Sequence, residues 1–220
     1  MCIRDSFYSV SMEYKRGVPV LKDVTFGVDK GEFVFLVGPS GAGKTTVLRL
    51  IYREIKPTSG EIVVAGKNLS RLKDSQIPYL RRIVGVVFQD FKLLPRKTIF
   101  ENVALALKVT GADRAEIKRK VNRVLDLVGL SHCKDAYPEE VSGGEQQRAA
   151  IARAVVNDPL ILLADEPTGN LDPVLSLEIM KLFESLNYRG TTVFIATHDY
   201  SLVRAMRKRV IRIERGRVFE

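Results

Sequence analysis

Residues Phe33 to Thr45 read F-V-F-L-V-G-P-S-G-A-G-K-T, a short apolar run, a glycine-rich turn, then a lysine and a hydroxyl. The run has the length and continuity of a strand covered on both faces. The turn satisfies G-x-x-x-x-G-K-[ST], and its setting between a strand and a helical pattern makes it a phosphate site rather than an ordinary Gly-rich turn. Across Gly38, Pro39, Ser40, Gly41, Ala42 and Gly43, glycine lets the backbone wrap phosphate oxygens with successive N–H groups aimed at them. The helix opening near Gly43 adds the positive end of its dipole. Lys44 supplies charge to the β and γ oxygens, Thr45 a hydroxyl for Mg²⁺, and Thr46 extends the cradle.

Outward from this loop, Val84–Phe88, Leu160–Ala164 and Thr192–Thr197 repeat the near-continuous apolar pattern, and each ends in a polar cluster. Ligands of open parallel sheets gather at the carboxyl ends of the strands. Those ends lead here into Gly38–Thr45, Gln89, Asp165 with Glu166, and His198. A buried strand that delivers two adjacent carboxylates incurs a desolvation cost unless they meet a cation or a reacting water. Asp165 is therefore expected to hold Mg²⁺, through water, and Glu166 to act as general base toward the attacking water. The competing reading is a solvated strand-end turn aided by Pro167, which the neighbouring phosphate loop disfavours.

The expected fold class is α/β, with a parallel-sheet core, an antiparallel β lobe and an inserted helical lobe. The β lobe comprises Phe7 to about Asp29 with Glu61–Ala65, where apolar residues alternate. Between Phe91 and Val156 the spacing of Ile117, Val121, Val124, Leu125 and Val128 is helical, with Lys118, Arg119, Lys120 and Arg123 opposite and Gly129 as the stop. One domain thus fills 1–220: 7–90 and 157–220 make the β lobe and core, 91–156 the helical lobe. Met1–Ser6 breaks the alternation and is set aside as a cloning or assembly artefact without function.

Composition sets outer bounds. The 220 residues, 45% hydrophobic, suffice for one sizeable core. No apolar run approaches the roughly 20 residues of a membrane span. Cys2 and Cys133 show neither a disulfide framework nor metal-like spacing, which fits a reducing cytoplasmic setting. The net charge of +9 suits nucleic acid, an anionic membrane or phosphate ligands alike. Basic residues crowd between Arg204 and Arg217, a pattern most simply read as a solvated helix and strand face.

Val141–Arg148 reads V-S-G-G-E-Q-Q-R, which resembles the signature of the ATP-binding cassette (ABC) family, usually L-S-G-G-Q. The resemblance runs from Val10 to the end of the chain. It implies a P-loop NTPase with a RecA-like core that binds ATP with Mg²⁺, the metal held by Thr45, Gln89 and Asp165. It implies catalytic roles for Glu166, His198 (the switch histidine) and Lys44. Tyr14 matches the aromatic that stacks on adenine, Gln89 the Q-loop and Asn170–Asp172 the D-loop. In the ATP-bound homodimer Ser142, Gly143 and Gly144 would serve the ATP of the opposite subunit. Local readings stand beside these roles. Ser142 and Glu145 form a capping box, Asp172 with Pro173 reads as N-cap and first helical residue, and Tyr14 is also an ordinary edge-strand tyrosine. Glu145, where glutamine is usual, would repel a phosphate and is expected to turn back toward its own helix end.

Within the family, Val87–Val103, V-F-Q-D-F-K-L-L-P-R-K-T-I-F-E-N-V, resembles most the branch that serves bacterial cell division with an integral membrane subunit. The run A-D-E-P-T-G-N-L-D at Ala164–Asp172 is shared with ATPases of lipoprotein-releasing and macrolide-exporting transporters, which leaves that reading open. The resemblance places the membrane partner's cytoplasmic helix against Gln89–Val103, where Phe91, Leu93, Leu94 and Phe100 also suit core, and locates the chain on the cytoplasmic side of the inner membrane, peripheral through its partner. Further division proteins are among the partners it implies. A nucleic-acid role is disfavoured by the single cassette, the lack of a long heptad segment and the lack of interleaved aromatic and basic residues. A scaffold that binds nucleotide without turnover is disfavoured by the intact Lys44, Thr45, Asp165, Glu166 and His198.

Overall fold

The computed structural model describes residues 4–219. A six-stranded sheet forms the centre. Its strands are β3 (Phe33–Val37), β6 (Val84–Val87), β7 (Ile161–Asp165), β8 (Thr192–Thr197), β9 (Arg209–Glu214) and β10 (Arg217–Phe219), in the order β10-β9-β3-β8-β7-β6. All neighbours are parallel except the terminal β9–β10 hairpin. Alternation along these strands makes the layers. Phe33, Phe35 and Val37 enter one apolar cluster, with Leu162, Ala164, Val193 and Ile195. Val34 and Leu36 enter the other, with Ile161, Leu163, Phe194 and Ala196. Both faces are covered, which is why the strands read as unbroken apolar runs. Burying a side chain such as Phe35 completely contributes about 1.5–3 kcal/mol.

The second cluster is closed by α1 (Lys44–Ile51) and by a four-stranded antiparallel sheet, β2-β1-β4-β5, built from β1 (Arg4–Lys15), β2 (Val18–Asp29), β4 (Ser59–Val64) and β5 (Lys67–Asn68). Here the alternation misled at one end. The strand begins not at Phe7 but at Arg4, with Asp5 paired to Val28 and Ser6 to both Gly27 and Val63. Asp5 also accepts from the Ala65 N–H at 2.6 Å. The polar residues at this strand end are accommodated by a hydrogen bond, which hydrophobic periodicity does not register. Residues 1–3 of the segment set aside as an artefact lie outside the described residues.

The first cluster is closed by α3 (Ile99–Val109), α4 (Arg114–Leu127) and α5 (Gly143–Val155), and by α6 (Pro173–Tyr188) and α7 (Tyr200–Met206). The short α2 (Ile77–Ile83) leads into β6. Gly129 ends α4 as expected: at φ 74 it lets the Leu130 N–H reach Leu125 O at 2.8 Å and its own N–H reach Asp126 O at 3.1 Å. Three residues of the basic C-terminal run form ion pairs. Lys208 pairs with Glu184, Arg209 with Glu32 and Arg212 with Glu214.

Candidate functional site

The loop Gly38–Gly43 joins β3 to α1 at the carboxyl edge of the central sheet. Gly38 is wedged against the neighbouring strand, so that a Cβ there would lie 2.2 Å from Ile213 O. Gly43, at φ 108, is the N-cap of α1 and leaves its first N–H groups without a side-chain acceptor, which suits an anion. The Lys44 side chain is buried beneath this arch. Its Nζ donates to Gly38 O at 2.9 Å and Pro39 O at 3.3 Å, and lies 3.4 Å from Glu166 Oε1. The Thr45 side chain opens to solvent.

The adjacent strand β8 separates β3 from β7, and β7 brings Asp165 and Glu166 to the same edge. Burial raises the Asp165 carboxyl pKa; a hydrogen bond from Thr45 lowers it, the Glu166 charge raises it further and Lys44 lowers it. Its Oδ1 is buried with no hydrogen-bond partner. A partnerless carboxylate oxygen beside a hydroxyl is the donor set that a hard divalent cation takes, so Asp165 and Thr45 fit Mg²⁺. Gln89 is exposed, and its Nε2 lies 3.7 Å from the position a Cβ on Gly169 would take.

Glu166 adopts a left-handed backbone, φ 47, unusual for a residue with a Cβ. Strain of this kind costs about 1–3 kcal/mol and persists where the surroundings over-determine it. Here the Glu166 N–H donates to Ala196 O at 2.9 Å and Gly169 N–H donates to Glu166 O at 3.1 Å. The carboxylate is thereby aimed at β8. Its Oε1 lies 2.8 Å from His198 Nδ1, and its Oε2 accepts from the His198 N–H at 3.3 Å. Lys44, Glu166 and His198 thus form one connected group, and His198, its side chain 58% exposed, faces outward from it. An open cleft of about 600 Å³ runs from Glu166 and His198 past Gly169 and Leu171 to Ser201.

Tyr14 lies on β1, half exposed, and its hydroxyl is 3.3 Å from Thr46 Oγ1. That contact brings an aromatic ring beside the phosphate loop. Ser142, Gly143 and Gly144 are elsewhere, at the start of α5. The capping box is formed: Ser142 Oγ accepts from the Glu145 N–H at 3.3 Å, and Glu145 Oε2 accepts from the Ser142 N–H at 2.8 Å and hydroxyl at 2.7 Å. Glu145 does turn back on its own helix end. Among the described residues, the hydrogen bonds of Ser142 run to Glu145 and Gln146, and none joins it to the phosphate loop. Asp172 caps α6 by accepting from Val174 N–H at 2.9 Å and Leu175 N–H at 3.0 Å.

Sequence reasoning missed Arg153. From α5 its guanidinium donates to Phe91 O at 2.7 Å and also to Lys92 O, and those two residues have φ 56 and 52. An arginine inside the apolar run A-A-I-A-R-A-V was the available signal. Arg153 also borders an open groove of about 530 Å³, lined by Tyr52, Glu54, Arg81, Arg82, Phe88 and Ala106. This groove adjoins the expected docking segment without being lined by it. Within Gln89–Val103, Leu93 and Phe100 pack on the core, Ile99 and Val103 are buried, and Asn102 is fully buried with its amide bonded to Leu94, Lys97 and Thr98.

Residues 21–169 match the ABC transporter family. The cell division ATP-binding protein FtsE of Streptococcus pneumoniae is 56% identical over 209 residues, 95% of this chain and 91% of that protein. FtsE of Bacillus subtilis is 55% identical over 92% of this chain and 89% of its own length, and FtsE of Escherichia coli 47% over 96% and 95%. Among solved structures, the ATP-binding cassette MJ0796, in a dimeric post-hydrolysis state bound to ADP and Pi, superposes with a TM-score of 0.89. It is 37% identical and covers 98% of this chain and 97% of its own.

Proposed function

The chain belongs to the ABC transporter family of ATPases, and from that premise we propose that it is the ATP-binding and ATP-hydrolysing subunit of an FtsEX-type complex acting in bacterial cell division. The observation that carries the chemistry is the connected group of Lys44, Glu166 and His198 beside Asp165 with its unpartnered Oδ1. Lys44 exchanges its loop carbonyls for β and γ oxygens of ATP. Asp165, Thr45 and Gln89 would hold Mg²⁺, which would supply positive charge beside the phosphates. Glu166 orients and deprotonates the attacking water, while His198 holds the Glu166 carboxylate and polarises the γ-phosphate. Tyr14 stacks on adenine.

The signature residues act in trans. Ser142, Gly143 and Gly144 top a capped helix, a ready anion site, and among the described residues no hydrogen bond joins Ser142 to the phosphate loop of its own chain. A second copy completes the site, so two chains sandwich two ATP molecules. A cytoplasmic helix of an FtsX-like membrane subunit docks at the region around Gln89–Val103, beside the groove that Arg153 borders. The lining of that groove combines apolar Phe88 and Ala106 with Arg81, Arg82 and Arg153, which suits an amphipathic helix with an acidic end. That docking holds the protein at the cytoplasmic side of the membrane. A LolD-like or MacB-like export complex would use the same chemistry and groove, and co-purification of the membrane subunit separates the two.

Phosphate release with the membrane partner present tests the enzyme: Lys44→Ala should lose it, and equal rates in both proteins would refute hydrolysis here. Glu166→Gln should trap an ATP-dependent dimer on sizing, and a monomer under those conditions would refute the sandwich.

A further inference from the structure

Three metal-ligating side chains that the ATP chemistry does not use meet behind the signature turn. His132 and Cys133 lie in the 3₁₀ turn Ser131–Cys133 after α4, and Glu145 is in the first turn of α5. His132 Nε2 is 3.0 Å from Glu145 Oε1. With Cys133 Sγ included, the ligand atoms all lie within 4.8 Å of one another. We propose that His132, Cys133 and Glu145 form a binding site for a zinc-like divalent cation.

The donor set is one nitrogen, one sulfur and one oxygen, which a borderline-soft ion such as Zn²⁺ accepts and Mg²⁺ does not. Tetrahedral zinc, with bonds of about 2.0–2.3 Å, separates its ligands by about 3.3–3.8 Å. His132 Nε2 and Glu145 Oε1 are 3.0 Å apart and all three ligand atoms lie within 4.8 Å of one another, so side-chain rotation would bring them to that spacing. The His132 side chain is 66% exposed, which leaves a path for the ion and room for water as fourth ligand. Cys133 Sγ has only a 3.6 Å contact to Leu130 O to give up. On binding, the Cys133 thiol releases its proton to solvent and a zinc–thiolate bond forms, while His132 and Glu145 exchange their mutual hydrogen bond for bonds to the ion.

Only Oε1 of Glu145 turns to the metal; Oε2 already holds the Ser142 N–H and hydroxyl. One carboxylate would then bridge the ion and the signature cap. Before binding the cluster carries the single negative charge of Glu145. Afterwards the two positive charges of zinc cancel those of Glu145 and the thiolate. Loss of that charge next to Ser142 removes repulsion toward a phosphate arriving there, so zinc should favour the ATP-dependent dimer. This consequence rests on the sandwich proposed above, whereas the site itself does not.

Titration of the untagged full chain with Zn²⁺ tests the site, alongside His132→Ala, Cys133→Ser and the double variant. One ion per chain is expected, with affinity more than about tenfold weaker in each single variant. Co²⁺ should give a thiolate charge-transfer band that Cys133→Ser abolishes. Equal zinc affinity in the native chain and the double variant overturns the proposal, because the ion then sits elsewhere. In the Glu166→Gln background, zinc should lower the ATP concentration needed for dimers, and His132→Ala should cancel that shift. Zinc bound at this site with no effect on dimers would remove the electrostatic coupling and leave the site. An absence of dimers with or without zinc would count against the sandwich alone.

Discussion

Replacing Asp165 with Asn removes a charge while keeping the side-chain shape and the acceptor that faces the Thr45 hydroxyl. The Asp165 Oδ1 is buried without a partner, and burial is the main reason its pKa is raised from 3.8. A raised folded-state pKa means that the folded protein holds the proton to higher pH than the unfolded chain. The stabilisation associated with that proton is therefore full below pH 3.8 and lost as pH rises through the folded pKa. At neutral pH the ionised carboxylate is a net cost. An unpaired buried polar group costs about 1–3 kcal/mol, more when charged, and Asn, which leaves an amide atom at the Oδ1 position, removes only the charged excess. Asp165 is only partly buried as a residue, so the lower half, about 1–2 kcal/mol, applies. For a chain of this size 1 kcal/mol moves Tm by about 2–4 °C. Asp165→Asn should thus melt about 2–8 °C higher than the native protein at pH 7 without nucleotide, with a smaller gain toward pH 4.

Ligand response should invert that order. At a hundred times Kd, nucleotide stabilises the native protein by about 2.7 kcal/mol, or about 5–11 °C by the same conversion. Asn offers a neutral amide where Mg²⁺ prefers a carboxylate, so the Mg²⁺-dependent part of the rise should shrink in the variant. Thermal melts with a non-hydrolysable ATP analogue, with and without Mg²⁺, read both effects. A variant that melts below the native protein without nucleotide would refute the burial argument. An undiminished Mg²⁺-dependent rise would refute the metal role.

Three further outcomes follow from local geometry. Gly38→Ala places a Cβ 2.2 Å from Ile213 O and must prise β3 from β9, whereas Gly41→Ala meets nothing within 4 Å and bears only the strain of φ +78. Thermal melts should show a loss of about 1–3 kcal/mol for the former and about 1 kcal/mol for the latter. Arg153→Ala leaves the Phe91 and Lys92 carbonyls without their donor, and should lower stability by about 2–4 kcal/mol in urea titration with faster amide exchange around Gln89–Leu94. Ser142→Ala removes a helix cap worth about 1 kcal/mol, a modest loss by calorimetry, while the ATP-dependent dimer of the Glu166→Gln protein should weaken far more.

The parts of this molecule that were legible in its sequence are those fixed by neighbours along the chain. Strands covered on both faces read as continuous apolar runs, and β3, β7 and β8 were placed to within a residue. The phosphate loop, the Ser142 and Asp172 caps and the Gly129 stop are each set by a few consecutive residues. What escaped depends on partners distant in sequence. Asp5 is satisfied by Ala65, sixty residues away, and Arg153 by Phe91 and Lys92 on another element. Gln147 shows the same limit from the other side: it is fully buried in α5 and both of its amide atoms lack partners, and nothing in V-S-G-G-E-Q-Q-R distinguishes it from exposed Gln.

Arg153 also explains how two distant parts of the site can respond to one event. It lies near the end of α5, whose first turn is the Ser142 cap, and a helix of 13 residues spans about 20 Å as a stiff rod. Its guanidinium grips the backbone just after Gln89 and borders the groove. At the other end Gly144 packs within reach of Leu175, and Arg148 pairs with Glu178 at 2.6 Å, which ties α5 to α6 behind Glu166–Gly169. A helix pressed into the groove cannot move Arg153 without moving the left-handed turn at Phe91 and Lys92 or tilting α5. The first shifts Gln89 beside Gly169, and the second shifts Ser142–Gly144. The turn is held in a strained backbone by two hydrogen bonds from one side chain, so weakening that grip loosens the turn and its link to α5. Coupling between groove and nucleotide therefore needs no relay of many weak contacts, only a stiff helix and one half-buried arginine.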